Sequence, residues 1–318
     1  MKHRRDKKKI LILSALTIIC IGLFLFQGLN SRNFDYNISR RIPKIIAMCL
    51  TGTSIAVSSM LFQTVTNNRI LTPSILGLDS LYNFGQTLCI FAFGVNSIMM
   101  TDKKMNFFAS VSIMLLGTIL LYNLVFKKGK NIFTLLLVGT VVGTLFRSMS
   151  SFMSVLIDPN DFIVLQNKMF ASFNNVNTDI LLIAVIIIIG TGCFIYKDLS
   201  KLDVMLLGRE QAINLGVDHD RLSKKILLIV AILVSVSTAL VGPITFLGIL
   251  VVNLSYHLFK TYKHSYLIAG SSLISMSAVV GGQFIVERIL NFSSTVSIII
   301  NFIGGIYFIY LLLKQARN

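Results

Sequence analysis

Arg147 is the residue that demands most of its surroundings, because it stands inside an apolar run, Gly139-Thr-Val-Val-Gly143-Thr-Leu-Phe-Arg147-Ser-Met-Ser-Ser-Phe. A guanidinium facing hydrocarbon is costly, so it must meet a wet pathway or a structural partner inside the protein, near Ser148, Ser150 and Ser151. Both readings stay open on the residues alone. His3, His219, His257 and His264 stand at the edges of apolar runs and form no catalytic set, so an enzyme is not expected. The pattern G-x-x-x-x-G-K-[ST] is absent, so any coupling to ATP must come from another chain. The 13 acidic residues are expected in loops, at helix ends or within 66–81, with Asp79 the deepest. An ion-coupled transporter would keep carboxylates within its spans, which makes it the weaker alternative, with Arg147 and Asp79 as its working residues.

The elements that must hold these residues are read from composition. Mean hydropathy is +0.79, with 54% hydrophobic and 13% charged residues over 318 positions, against about 25% charged in soluble domains. Uncharged runs of about 20 residues match the length of a helix crossing about 30 Å of hydrocarbon. An all-α integral membrane protein follows, a single transmembrane domain over 1–318 surrounded by the lipid bilayer. Helices are predicted near 10–29, 44–62, 81–100, 107–126, 131–156, 178–196, 226–241, 244–259, 265–284 and 297–313. The basic start, six Lys and Arg within Met1 to Lys9, precedes an apolar run with no A-x-A cleavage site, so a retained first helix is expected rather than a signal peptide. Cys20, Cys49, Cys89 and Cys193 form no CxxC pair and read as small core residues; no metal site is expected.

The net charge of +16 could suggest nucleic acid, but the basic residues sit between apolar runs instead of on one polar face. Ten spans place both termini on one side, together with the turn at 127–130, a polar loop at about 197–225 and the turn at 260–263. With Arg69, that side holds about 20 of the 29 Lys and Arg, which assigns it to the cytoplasm of a plasma-membrane protein. Arg40, Arg41 and Lys44 are the local exception. The segment 66–81, with Asn67, Asn68, Pro73, Gly77 and Asp79, is too polar for lipid and should pack on protein or line a cavity. Gly242-Pro243 should break one run from the next. Gly139 and Gly143 let another helix approach closely, within the chain before any dimer contact.

Several segments in order resemble the iron-siderophore and cobalamin permease family of ABC importers, over nearly the whole chain. Arg41-Ile-Pro43-Lys44, then Gly52, Gln63, Asn68 and Thr72-Pro73-Ser-Ile-Leu-Gly77-Leu, is similar to that family's R-x-P-R, G, Q and N-P-L-A-x-P-x-x-L-G signature. Leu207-Gly208-Arg-Glu210-Gln-Ala212-Ile-Asn-Leu215-Gly216-Val217 resembles its L-G-x-x-x-A-x-x-L-G-V cytoplasmic loop, and Gly242-Pro243-Ile-Thr-Phe246-Leu-Gly248-Ile resembles its G-P-I-x-F-x-G-L segment. Departures are Lys44 for the second Arg, Asn68-Arg69-Ile70-Leu71 for N-P-L-A, and Val252 where a proline is usual. Phe146-Arg147 through Asp158-Pro159-Asn160 to Phe170-Ala-Ser-Phe-Asn174 resembles the branch importing catecholate-type iron chelates.

The resemblance implies a ten-helix bundle of the cobalamin-importer type that passes ferric-siderophore cargo across the membrane. The same fold importing haem or cobalamin is the nearest alternative. It implies a second permease subunit, expected to be non-identical with a homodimer as the alternative, two ATP-binding-cassette ATPases that use ATP and Mg, and an extracytoplasmic siderophore-binding lipoprotein or periplasmic protein. No cofactor is expected on this chain. Leu207, Gly208, Glu210, Ala212, Leu215 and Gly216 would couple to the ATPase through a short helix resting in its groove. Arg41 and Arg288 would receive carboxylates of the binding protein, with lipid anchoring of Arg41 and an Arg288–Glu287 pair as the plainer readings. Arg147, Ser151 and Gln63 are the candidates for the translocation pathway.

Overall fold

The computed structural model describes residues 2–28, 34–126, 132–174 and 176–316, which contain thirteen α-helices. They are α1 (Lys2–Phe26), α2 (Phe34–Thr66), α3 (Leu78–Phe93), α4 (Ile98–Thr101), α5 (Lys103–Phe126), α6 (Ile132–Leu156) and α7 (Pro159–Met169). The second half adds α8 (Thr178–Met205), α9 (Arg209–Asn214), α10 (His219–Val241), α11 (Leu247–Phe259), α12 (His264–Arg288) and α13 (Val296–Ala316). Eight are long and apolar enough to cross a membrane. The 16-residue α3 and 13-residue α11 complete the ten expected helices.

The bundle is organised around α2. Its apolar window is 72% buried, against 11% for α1, so α2 is the central post and α1 a lipid-facing stave. Small residues let neighbours close on it. A Cβ added at Gly248 of α11 would collide with Ser59 Oγ, and one at Gly52 would lie 3.2 Å from Ser275 Oγ of α12. α10 and α12 are the main partners of α2, and α1 packs on α12. Leu11, Ile18, Leu120, Leu182 and Phe302 point outward, as a hydrocarbon solvent permits.

The helices outrun the predicted runs at several ends. α2 begins ten residues earlier than the expected 44, carrying Pro43 inside the helix. The basic stretch around Arg40, Arg41 and Lys44 hid that continuation. α8 continues to Met205 and α10 starts at His219, so the expected loop of 197–225 narrows to 206–218 around α9. The polar extension is held by Asp198 of α8, whose carboxylate pairs with Lys201 at 2.9 Å and with Lys225 of α10. The run 81–100 divides: α3 ends at Gly94, and α4 is a separate turn. The turn 127–130 lies outside the described residues.

Two of the ten helices expected to span are too short to cross. At about 1.5 Å per residue, α3 and α11 span only about 24 and 20 Å, so both begin inside the bundle. Each follows a broken backbone. Before α3, Asn68 Oδ1 accepts from the Ile70 N–H at 2.9 Å, a turn of 3-10 helix covers Pro73–Leu76, and Gly77 turns the chain at φ +79°. Before α11, Gly242 at φ +103° and Pro243 end α10, as predicted. Thr245 Oγ1 donates to Asp79 Oδ2 at 3.1 Å, joining the two broken ends. The Arg69 carbonyl is satisfied by Asn253 Nδ2 at 3.0 Å, so the polar segment packs on protein as expected. The contact expected of Gly139 and Gly143 is made within the chain, since a Cβ on Gly143 would lie 2.9 Å from Gly77 Cα.

Candidate functional site: a polar face, a surface helix and an arginine pair

The outward surface of α6 carries a polar stripe among its apolar side chains. Thr140, Thr144, Arg147, Ser148 and Ser151 recur at helical spacing and all are exposed. They share the surface with Leu137, Val141, Leu145 and Phe152. Thr140, Thr144 and Arg147 open onto a groove of about 310 Å³, whose other walls include Thr72, Ser74 and Phe246. Arg147 therefore faces out of the subunit, toward the space a second chain or a water path would fill.

Gln63 lies elsewhere. It borders a cavity of about 850 Å³ at the end of the bundle that carries α9, together with Asn67, Arg69, Asp203, Tyr256 and Lys260. The Arg69 guanidinium stacks 4.5 Å from the Tyr256 ring centroid. Gln63 is 2% exposed, and neither its amide nitrogen nor its oxygen has a hydrogen-bond partner among the described residues. The structure thus brings Arg147 and Ser151 onto one face and keeps Gln63 apart, in the cavity at the basic end.

The segment after α8 makes the surface helix. Gly208 at φ +96° and Gly216 at φ +83° reverse the chain on either side of α9, conformations that favour glycine. Arg209 clamps α9 to α10, donating from Nη2 to Asp220 Oδ2 at 2.9 Å and from Nε to Oδ1 at 3.3 Å. The Asp220 carboxylate holds the Arg209 pKa above its already high ordinary value. Ala212 is fully buried and seats the helix, while Glu210 and Gly216 lie in the open. Leu207, Ile213 and Leu215 are 58%, 47% and 61% exposed, an apolar cluster on a charged surface that calls for a partner.

At the opposite end, Arg41 Nη1 donates to the carbonyls of Leu25 and of Gln27, the latter at 3.1 Å. Arg288 Nη2 donates to the same Gln27 carbonyl at 2.9 Å. The pairing of Glu287 with Arg288 is not what forms: Glu287 goes to Lys44 at 3.0 Å and accepts from Gln283 at 2.8 Å. Adjacent helical positions point in different directions, which separates Glu287 from Arg288.

One constellation escaped the sequence reading. His264, fully buried, sits 2.7 Å from Asp203 through Nδ1 and 2.8 Å from Thr64 Oγ1 through Nε2. The partners are distant in sequence, so only the fold reveals them.

A family model described as the FecCD transport family matches residues 10–314. The chain belongs to the FecCD transport family. Among the relatives of this FecCD chain, the petrobactin import system permease protein YclO of Bacillus subtilis is 59% identical over 315 residues, covering 99% of both chains. The petrobactin import system permease protein FatC of Bacillus anthracis is 34% identical, covering 94% of this chain and 88% of its own. A solved inward-facing metal-chelate type ABC transporter matches with a TM-score of 0.85 at 21% identity, over 97% of this chain and 99% of that one, and agrees in fold. The helical architecture is therefore shared with that transporter, and the chain is a multi-pass membrane protein of this family.

Proposed function

We propose that this chain is one of two permease subunits whose facing α6 helices enclose a path for an anionic ferric chelate of the petrobactin type. The observation that carries this reading is the exposed polar face of α6. Arg147, facing out of the subunit at membrane depth, is expensive against lipid and fits an aqueous path, and Thr140, Thr144, Ser148 and Ser151 stand beside it on the exposed surface. Relatives at 59% and 34% identity that import petrobactin supply the cargo class. The partner permease is a non-identical chain.

In this scheme the end carrying the start of α1, α9 and the C-terminus is cytoplasmic. An ATPase that holds ATP and Mg receives α9 with its Leu207, Ile213 and Leu215 cluster, and this chain holds no cofactor. Glu210 lies at the exposed first turn of α9, while Gly208, Ala212 and Gly216 shape and seat it. Closure of the ATPase pair pushes on α9 and moves α8 and α10 as rigid bodies. ATP shifts the equilibrium because it binds the closed pair more tightly than the open one. On the outer side, Arg41 and Arg288 receive carboxylates of the binding protein.

The test is uptake of radioactive ferric petrobactin by cells lacking this chain and supplied with it in trans. Wild type should restore uptake and Arg147→Ala should lower it at least tenfold, with Arg147→Lys in between. Uptake that persists when ATP is depleted but collapses with the proton gradient would overturn the ATP-driven scheme.

A further inference from the structure

We infer that Asp203, His264 and Thr64 form a positioning chain that carries movement of the α9 segment into the central helix α2. The inference rests on the importer reading above. Asp203 is the third residue from the end of α8, and α8 leads through 206–208 directly into α9. Its Oδ1 accepts from the backbone N–H of His264 at 2.7 Å and meets His264 Nδ1 at the same distance. A helix start leaves its first N–H groups without partners, and here one is satisfied by a carboxylate from another helix. α8 is thereby fastened to the first residue of α12.

The imidazole extends the link. Its ring is fully buried and has no room to swing, so it acts as a strut between Asp203 and α2. A ring donating from Nδ1 to the carboxylate presents Nε2 as an acceptor for the Thr64 hydroxyl, 2.8 Å away. Thr64 is 1% exposed and lies two residues from the end of α2. Its hydroxyl is also 2.9 Å from the Met60 carbonyl, and its single hydrogen can serve one acceptor at a time. Releasing the chain therefore strands the nitrogens of the fully buried imidazole, whereas Asp203 borders the cavity and Thr64 keeps the Met60 carbonyl. A displacement at the end of α8 is passed on through short bonds sooner than it is absorbed by breaking them. The mostly apolar contacts of α8 with α2 and α12 could slide; this one resists.

The experiment uses the assembled transporter of wild-type or variant chain with its ATPase, partner permease and binding protein in proteoliposomes. Three quantities are read: ATPase co-purified, ATP hydrolysed, and ferric petrobactin imported. Thr64→Val keeps shape and removes only the last link; His264→Phe removes both ring bonds; Asp203→Asn keeps the acceptor oxygen. Thr64→Val and His264→Phe should retain the ATPase and hydrolyse ATP within twofold of wild type, yet consume at least fivefold more ATP per chelate imported. Asp203→Asn should stay within twofold. Wild-type stoichiometry in Thr64→Val would overturn the inference, as would a loss of ATPase from that variant matching its loss of uptake, which makes the chain merely structural. Wild-type complexes that neither retain the ATPase nor import would overturn the importer reading and the inference with it.

Discussion

Arg41 of α2 and Arg288 of α12 meet over one acceptor, the carbonyl oxygen of Gln27, at 3.1 and 2.9 Å. Two guanidiniums converge there while the neighbouring carboxylate, Glu287, is engaged by Lys44. The Gln27 carbonyl leaves both cations with unused N–H donors, which suits an arriving carboxylate. Arg288→Glu should therefore weaken binding-protein capture at least tenfold, about 1.4 kcal/mol or more, while ATP hydrolysis by the isolated membrane complex stays unchanged. Affinity measured by surface plasmon resonance on reconstituted complexes decides it. Arg41→Glu should cost more and also lower stability, since Arg41 additionally ties the Leu25 carbonyl.

The α9 surface makes a separate prediction. Leu215 is 61% exposed and Leu207 58%, so trimming either removes little from the packing of the isolated chain. Buried in an ATPase groove, each side chain would contribute about 1.5–3 kcal/mol. Leu207→Ala with Leu215→Ala should leave the melting temperature of the detergent-solubilised chain within about 2 °C, yet reduce co-purification of the ATPase more than tenfold. Retention of the ATPase by the double variant would remove α9 as the coupling element.

The ten helices were legible because lipid forces long apolar runs, and the polar 66–81 segment was legible because it breaks one. Helix ends were not. The stretch 197–205 reads as loop by charge, yet it stays helical because Lys201 and Lys225 neutralise Asp198 across two helices. The helix expected from 44 begins at Phe34, with the basic residues and Pro43 inside α2. Gly139 and Gly143 were found because close helix approach has a local spacing, whereas the Asp203–His264 contact spans 61 residues and has none. Arg147 was recognised by its cost in lipid, but nothing in the sequence says that its helix face points away from the subunit. Gln63 matched a motif position, and only the fold assigns it to the cavity at the other end of the bundle from the arginine pair.

The Gly77–Gly143 approach should govern stability. A Cβ on Gly143 would lie 2.9 Å from Gly77 Cα, backbone that cannot rotate aside. Gly143→Ala should lower stability by about 1–3 kcal/mol, as overpacking does. Gly77→Ala should cost about 1–2 kcal/mol more, because Gly77 also holds φ +79°. Gly281, where an added Cβ would meet nothing within 4 Å, serves as the control. Its alanine variant should be neutral or gain up to about 1 kcal/mol from helix propensity. Thermal unfolding in detergent, followed by the reaction of newly exposed cysteines with a thiol-reactive dye, gives the ranking; equal effects at 143 and 281 would refute it.

Gln63 should trade stability for function. It is 2% exposed, on the wall of the 850 Å³ cavity, and both of its amide atoms are without partners among the described residues. An unsatisfied buried polar group costs about 1–3 kcal/mol. Gln63→Leu removes that penalty at nearly constant volume, so the variant should melt several degrees higher than wild type. If the amide serves passing cargo, the same change should cut ferric petrobactin uptake at least fivefold while ATPase co-purification is retained. A variant that melts lower would mean that the amide is bonded in the working protein, and one that melts higher with full uptake would remove Gln63 from the path.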